Sequence, residues 1–379
     1  MTKKQTIAGL LIRILPFVVI MVITWWRRDQ LLERSYSDRE PLDRIQRLAA
    51  SGREYDAPAR KQRDLVRTGR KLSADLVKKF EERAAKGTLS EEGRARLIGY
   101  YGSQGWRDKT AKAALGRHII WFIANRPESA ILRDSAVRLF PSHHLPAYVQ
   151  AKELWLEHLE TSPNNLLIRA NAAEMLLFGD RELSIDLLKE GEKQDPENGE
   201  WAQRLARCYS LRRSSQSLKA RQQETLLELE FLERAYRLLP ERKGRFVLEK
   251  LGRVAYLAGA RERALQYATL MVKPGEGPFY QERLIHCGHT IFGLVALDEN
   301  DLDTAKAHLL ESVTLRDKKF VRLSNPDYRL ARRLVGLREL DSVREFIEKL
   351  TPYLTMRQDR KGEWLESVEQ GLVPNFEGM

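Results

Sequence analysis

Four prolines constrain this chain more than any other feature. Pro127, Pro163, Pro196 and Pro240 each close a short polar stretch behind an apolar, helix-patterned segment: Asn125-Arg126-Pro127, Thr161-Ser162-Pro163, Gln194-Asp195-Pro196 and Leu238-Leu239-Pro240. They stand 36, 33 and 44 residues apart. Proline cannot continue a helical hydrogen-bond ladder, so a place just past a helix end suits it. A period of this length fits one helix hairpin. A lone hairpin cannot bury its own apolar face, so several must stack. The long third interval contains residues 210–224, SLRRSSQSLKARQQE, a polar insertion between two helical stretches. Composition agrees, since 14 Pro and 23 Gly in 379 residues argue against a β-sandwich or a disordered chain.

A second periodicity lies inside the first. Leu251-Gly252, Ala255, Ala264 and Ala268 recur 41 residues later as Phe292-Gly293, Ala296, Ala305 and Leu309. Looser copies run through Ala172, Met175, Ser184, Leu188 and Pro196, and through Leu205-Ala206, Tyr209, Leu232, Ala235 and Pro240. Small residues let the two helices of a hairpin approach closely, while large ones fill the groove between hairpins. This order of small and large positions resembles the tetratricopeptide repeat. The resemblance implies an all-α fold, a right-handed α-α superhelical solenoid of tetratricopeptide-like helix hairpins. Leu97-Ile98-Gly99-Tyr100-Tyr101, His118-Ile119-Ile120-Trp121-Phe122-Ile123, Ala172-Ala173-Glu174, Ile285-His286-Cys287-Gly288-His289-Thr290 and the tail from Trp364 to Phe376 also resemble a bacterial family of uncharacterised tetratricopeptide-like proteins. That family implies no activity and no functional residues.

The N-terminus reads differently. After a tail of residues 1–6, residues 7–26 read IAGLLIRILPFVVIMVITWW, the length of helix that crosses a bilayer core. Twelve of them are Leu, Ile, Val or Phe, each contributing about −0.3 to −0.6 kcal/mol near the centre, against about +2.5 to +3.5 for an arginine such as Arg13. The apolar sum prevails, Arg13 can snorkel toward the interface, and Pro16 is tolerated in such a helix. Trp25-Trp26-Arg27-Arg28 offers no small-x-small cleavage site, and paired Trp suits an interfacial anchor. An uncleaved signal anchor is expected. Basic residues nearly balance across it, so the positive-inside rule is close to silent; the short tail ahead of a large body favours a periplasmic, extracytoplasmic body. Residues 27–60 are charged, carry Pro41, Gly52 and Pro58, and read as a juxtamembrane stalk. The solenoid is expected over 61–379, with capping helices over 326–379. There, Asn325 before Pro326 reads as an N-cap with a first-turn proline. Ser342 with Glu345 has capping-box spacing, and 357–371 reads as a last helix.

Candidate chemistry is sparse. His286 and His289 lie i, i+3 on one helical face around Cys287, but the sequence places no further ligand cluster beside them, and helix packing is the expected role. His143-His144 sits in PSHHLP and reads as a turn. Gly99, Gly102 and Gly105 lack the preceding strand and the following Gly-Lys-Ser/Thr of a phosphate loop, so Gly102 to Gly105 reads as a hairpin turn. Tyr100, Tyr101, Trp106, Trp121 and Phe122 could stack bases near basic residues, yet aromatics at helical spacing more often make core. Cys208 and Cys287 have no CxxC partner and read as small buried apolar residues. No Ser-His-Asp, HExxH, paired-acid or dinucleotide motif appears in the sequence. No catalytic residue, cofactor or metal ligand is therefore expected.

The formal charge is +12 with Lys and Arg at 65 against 53 Asp and Glu, mostly interleaved along the chain. This is an ordinary solvated surface with an arginine bias that admits an acidic partner or a C-terminal carboxylate. The expected function is a membrane-anchored, non-enzymatic scaffold that binds a protein or peptide partner. A permanent structural subunit of a larger membrane complex is the main rival, separable by co-migration after gentle detergent extraction. An enzyme, or a nucleic-acid or anionic-lipid binder, on the same helices is not favoured; it would need a convergent polar cluster or steep salt dependence. Oligomeric state is left open.

Overall fold

The computed structural model describes residues 61–104, 108–213, 217–273, 278–314, 326–354 and 358–376. The expected anchor at 7–26, the stalk at 27–60, Gly105, Trp106 and Asn325 lie outside these residues. The chain divides into two compact units between Pro58 and Ala59, and the described residues all belong to the second. Among them no helix is long and apolar enough to cross a membrane.

Among the described residues the secondary structure is helical throughout, with no strand. Helix α1 covers residues 61–69. It is followed by α2 (Ala74–Ala85), α3 (Glu91–Ser103), α4 (Lys109–Asn125), α5 (Pro141–Thr161), α6 (Leu166–Leu176), α7 (Arg181–Gln194) and α8 (Gly199–Arg213). Then come α9 (Leu218–Leu238), α10 (Glu241–Leu257), α11 (Arg261–Val272), α12 (Pro278–Asp298), α13 (Leu302–Glu311), α14 (Arg329–Gly336), α15 (Leu340–Leu350) and α16 (Gln358–Glu369). From α2 on, helices pack on their neighbours in sequence, and α10 on α12, α12 on α14 and α13 on α15 pack one further along. This is the contact pattern of stacked hairpins, a helical repeat architecture.

Local chemistry sets the helix starts. Ser73, Ser90, Asp108, Asn165, Asp180 and Asp301 each cap a helix by accepting from a backbone N–H of the first turn. Left-handed residues make four of the described hairpin turns: Gly87, Arg338 and, in the two well-matched repeats, Gly259 (φ 72°) between α10 and α11 and Asn300 (φ 61°) between α12 and α13. Gly259 and Asn300 are as far apart as Gly252 is from Gly293, so backbone conformation repeats with the packing residues. Ala255, Ala264, Ala268, Ala296, Ala305 and Leu309 are all buried. At the far end Tyr328 stacks on Phe376 at 4.4 Å, Trp364 meets Phe376 edge-on, and the Trp364 indole donates to the Asn375 carbonyl at 3.2 Å.

Several local readings change. The 210–224 insertion is drawn largely into helix, because α8 runs to Arg213 and α9 starts at Leu218. Its Arg and Gln side chains are good helix formers, so the extra residues lengthen both helices. Pro326 is not a first-turn proline: residues 326–328 are non-helical and α14 begins at Arg329. Ser342 is not an N-cap either. It lies inside α15, where its hydroxyl donates back to the Glu339 carbonyl at 2.9 Å. His143-His144 falls in the first turns of α5 rather than in a free turn, with a kink at His144 (φ −134°, ψ 34°) just before Pro146.

Helices α1 and α3 cross at their backbones. A Cβ on Gly99 would fall on the Val66 carbonyl oxygen, and one on Gly69 would fall on the Arg96 carbonyl oxygen. Gly99→Ala is therefore expected to push α1 off α3 and to lower stability by about 1–3 kcal/mol, the usual cost of overpacking. Thermal unfolding checks this, and an unchanged midpoint would refute it.

Charged pairs join successive hairpins. Arg207 and Arg138 both reach Glu174 (2.8 and 3.4 Å), Arg283 reaches Glu249 (2.6 Å), Lys243 reaches Glu200 (2.7 Å), and Arg333 reaches Asp298 (2.6 Å). Part of the arginine surplus thus works inside the array. Partly exposed pairs of this kind contribute about 0–1 kcal/mol each.

Candidate functional site

One helix of the stack is missing. Between α4 and α5, where the period calls for a first hairpin helix, the chain makes two short 3-10 turns, Ala130–Arg133 and Ser135–Val137. Asn171 of α6 holds this segment. Its fully buried amide donates to the Pro127 carbonyl at 2.7 Å and accepts from Arg133 Nε at 3.1 Å. The Ala130–Arg133 turn packs on α6 and the Ser135–Val137 turn on α3.

Two short turns fill less space than a helix, and beside them lies a cleft of about 260 Å³. Arg70 follows the α1–α3 crossing, Tyr101 comes from α3, Lys112 from α4, Ser135 from the second turn, and His144 from the α5 kink. Neither Arg70 nor Lys112 has a carboxylate within 4.0 Å among the described residues. The buried Nδ1 of His144 has no hydrogen-bond partner there. Burial and then the nearby Lys112 ammonium hold His144 below the usual histidine pKa, so it is neutral near pH 7. A concave site lined by two cations and a hydroxyl is suited to an anion.

Behind Tyr101 runs a polar network. The Tyr101 hydroxyl donates to Glu81 Oε1 at 2.7 Å, His118 Nε2 lies 3.0 Å from the same oxygen, and Arg94 Nη1 lies 3.4 Å from His118 Nδ1. Burial lowers the His118 pKa, against the opposing pull of Glu81. Neutral His118 then donates from Nε2 and accepts at Nδ1. The Arg94 guanidinium also sits over the Trp121 ring at 4.2 Å, and Phe122 is fully buried. Tyr101, Trp121 and Phe122, singled out above as possible base-stackers, are thus engaged within the fold.

The histidines of the α12–α13 hairpin separate. His286 is fully buried, with Nδ1 3.1 Å from the Ser312 carbonyl and Nε2 accepting from the Asp327 N–H at 2.9 Å. His289 instead meets His308 and Glu311 of α13. His289 Nδ1 lies 3.1 Å from His308 Nδ1, and each lies 3.0 Å from Glu311 Oε2. Cys287 and Cys208 are buried free thiols. Burial pushes the Cys208 thiol up to about 11 and raises Cys287 further, so neither is a reactive thiolate.

No protein-family model and no curated protein matches the chain.

Arg70, Lys112 and Ser135 escaped sequence reasoning because nothing local marks them; only the fold brings three separated segments to one cleft. His308 and Glu311 carried a weak signal. They lie i, i+3 on one face of the helix that pairs with the His289 helix.

Proposed function

We propose that this chain is a tetratricopeptide-like scaffold, a right-handed α-α solenoid anchored through residues 7–26, that docks an acidic protein segment. The observation that carries the reading is the cleft whose cations, Arg70 and Lys112, have no carboxylate partner among the described residues, while arginines elsewhere pair between hairpins. Arg70 and Lys112 would take a side-chain or C-terminal carboxylate, Ser135 would supply a hydrogen bond, and neighbouring helix faces would hold the rest of the segment. No catalysis is invoked. Anchoring would raise the local concentration of scaffold where a membrane-bound partner sits.

The full-length chain should bind a labelled Asp/Glu-rich peptide with a free C-terminus, measured by fluorescence polarisation. Arg70→Glu with Lys112→Glu is expected to weaken binding about tenfold or more, and added salt should weaken the wild type too. Binding that ignores both the charge reversal and salt would overturn the cleft as the docking site.

A second reading, a permanent subunit of a membrane complex, draws on Leu337, Leu372 and Val373. These are at least half exposed, and Leu337 and Leu372 flank the contact from Arg338 to the Gly371 carbonyl. Migration as a free monomer after mild detergent extraction would argue against it.

A further inference from the structure

We propose that His289, His308 and Glu311 form a binding site for a divalent transition-metal ion of the zinc class, which staples α12 to α13. Three potential ligand atoms, His289 Nδ1, His308 Nδ1 and Glu311 Oε2, form a nearly equilateral triangle with edges of 3.0–3.1 Å. A tetrahedral zinc with ligand bonds of about 2.0–2.1 Å holds neighbouring ligand atoms roughly 3.3 Å apart, so the triangle is close to one face of such a site.

Proton bookkeeping shows why hydrogen bonds alone fit this triangle badly. Each Nδ1 is either an N–H donor or a lone-pair acceptor, and the carboxylate oxygen only accepts. If both imidazoles carry Nδ1–H, both bond the carboxylate but the two donors face each other. If only one does, the other nitrogen turns its lone pair to the carboxylate oxygen. If neither does, all three edges set acceptor against acceptor. Every protonation state leaves at least one unfavourable edge, whereas a cation at the centre satisfies all three.

The surroundings suit an exchangeable ion. His308 and Glu311 share one face of α13, and the Phe292 ring stacks on His308 at 5.2 Å, holding its orientation. The Glu311 side chain is 54% exposed, which leaves a fourth position open to water. Two imidazoles and one carboxylate favour zinc, nickel or copper over the harder magnesium and calcium. His286 takes no part, because both of its nitrogens are already engaged.

The test uses the full-length chain, stripped of metal and titrated with Co²⁺ as a spectroscopic probe, followed by Zn²⁺ competition. One equivalent of Co²⁺ should give the visible bands of a four-coordinate nitrogen/oxygen site, and Zn²⁺ should abolish them. Zn²⁺ should also raise the unfolding temperature. His308→Ala should remove both effects. Glu311→Gln, a change at an exposed side chain with little bearing on folding, should weaken binding by more than the roughly 10–100-fold typical of outer-sphere changes. Absence of bands and of a thermal shift in the wild type, or unchanged affinity in the two variants, would overturn the proposal.

Discussion

Acidification from about pH 7 to about pH 5 is expected to lower stability through His286, by at most about 2 kcal/mol. Full burial depresses its pKa below the ordinary histidine value. Geometry sets the same preference, because Nδ1–H donates to the Ser312 carbonyl while Nε2 must accept from the Asp327 N–H. A second proton would place two donors head to head. The unfolded chain takes up that proton near pH 6.5, whereas the folded chain resists it. Unfolding therefore binds a proton, and stability present above the unfolded pKa falls as pH drops below it. His118, likewise depressed by burial, acts in the same direction. Carboxylates such as Asp327 are held below their usual pKa and contribute only at lower pH. Denaturant unfolding at pH 7, 6 and 5 measures the slope. His286→Gln keeps a neutral donor and acceptor, and should flatten the slope by up to one proton while lowering stability at pH 7. An equal slope in that variant would rule His286 out as the source.

Asn171→Leu should cost roughly 2–5 kcal/mol, because it strands the Pro127 carbonyl and removes an acceptor from Arg133 inside the fold. Leucine is the larger side chain and leaves no cavity, so the loss combines broken polar pairing with overpacking at this fully buried site. The damage should be local first. Backbone amides of residues 128–139 should lose protection in hydrogen exchange before those of α10 to α13. Ser135 and Ala136 wall the cleft, so acidic-peptide binding should weaken with them. Equal protection in both regions would show that the amide is not what holds the turns.

Repeat architecture was legible where a single residue type has one physical use. Small residues at Gly252, Ala255 and Ala264 allow close helix approach, and the prolines sit where ladders end; these signals depend only on near neighbours. The lapse between α4 and α5 was not legible. Residues 130–137, AILRDSAV, are compatible with helix, and their conformation is tied to Asn171 some forty residues later. Ser342 and Pro326 misled for a related reason. A local capping pattern is only a preference, and packing of Leu330, Leu334 and Phe346 into the terminal core coincides with different helix starts. The metal-like triangle spans two helices, so spacing within either one showed only half of it.

The two 3-10 turns carry a consequence for how a repetitive protein acquires a distinctive place. Identical stacked units offer a partner the same surface many times over, with no address. Letting one unit lapse creates a vacancy by subtraction, without an added loop, and the Asn171 amide on α6 ties down the turns that border it. In such an array individuality can arise from one omitted element, while every other repeat continues to diverge under packing constraints alone.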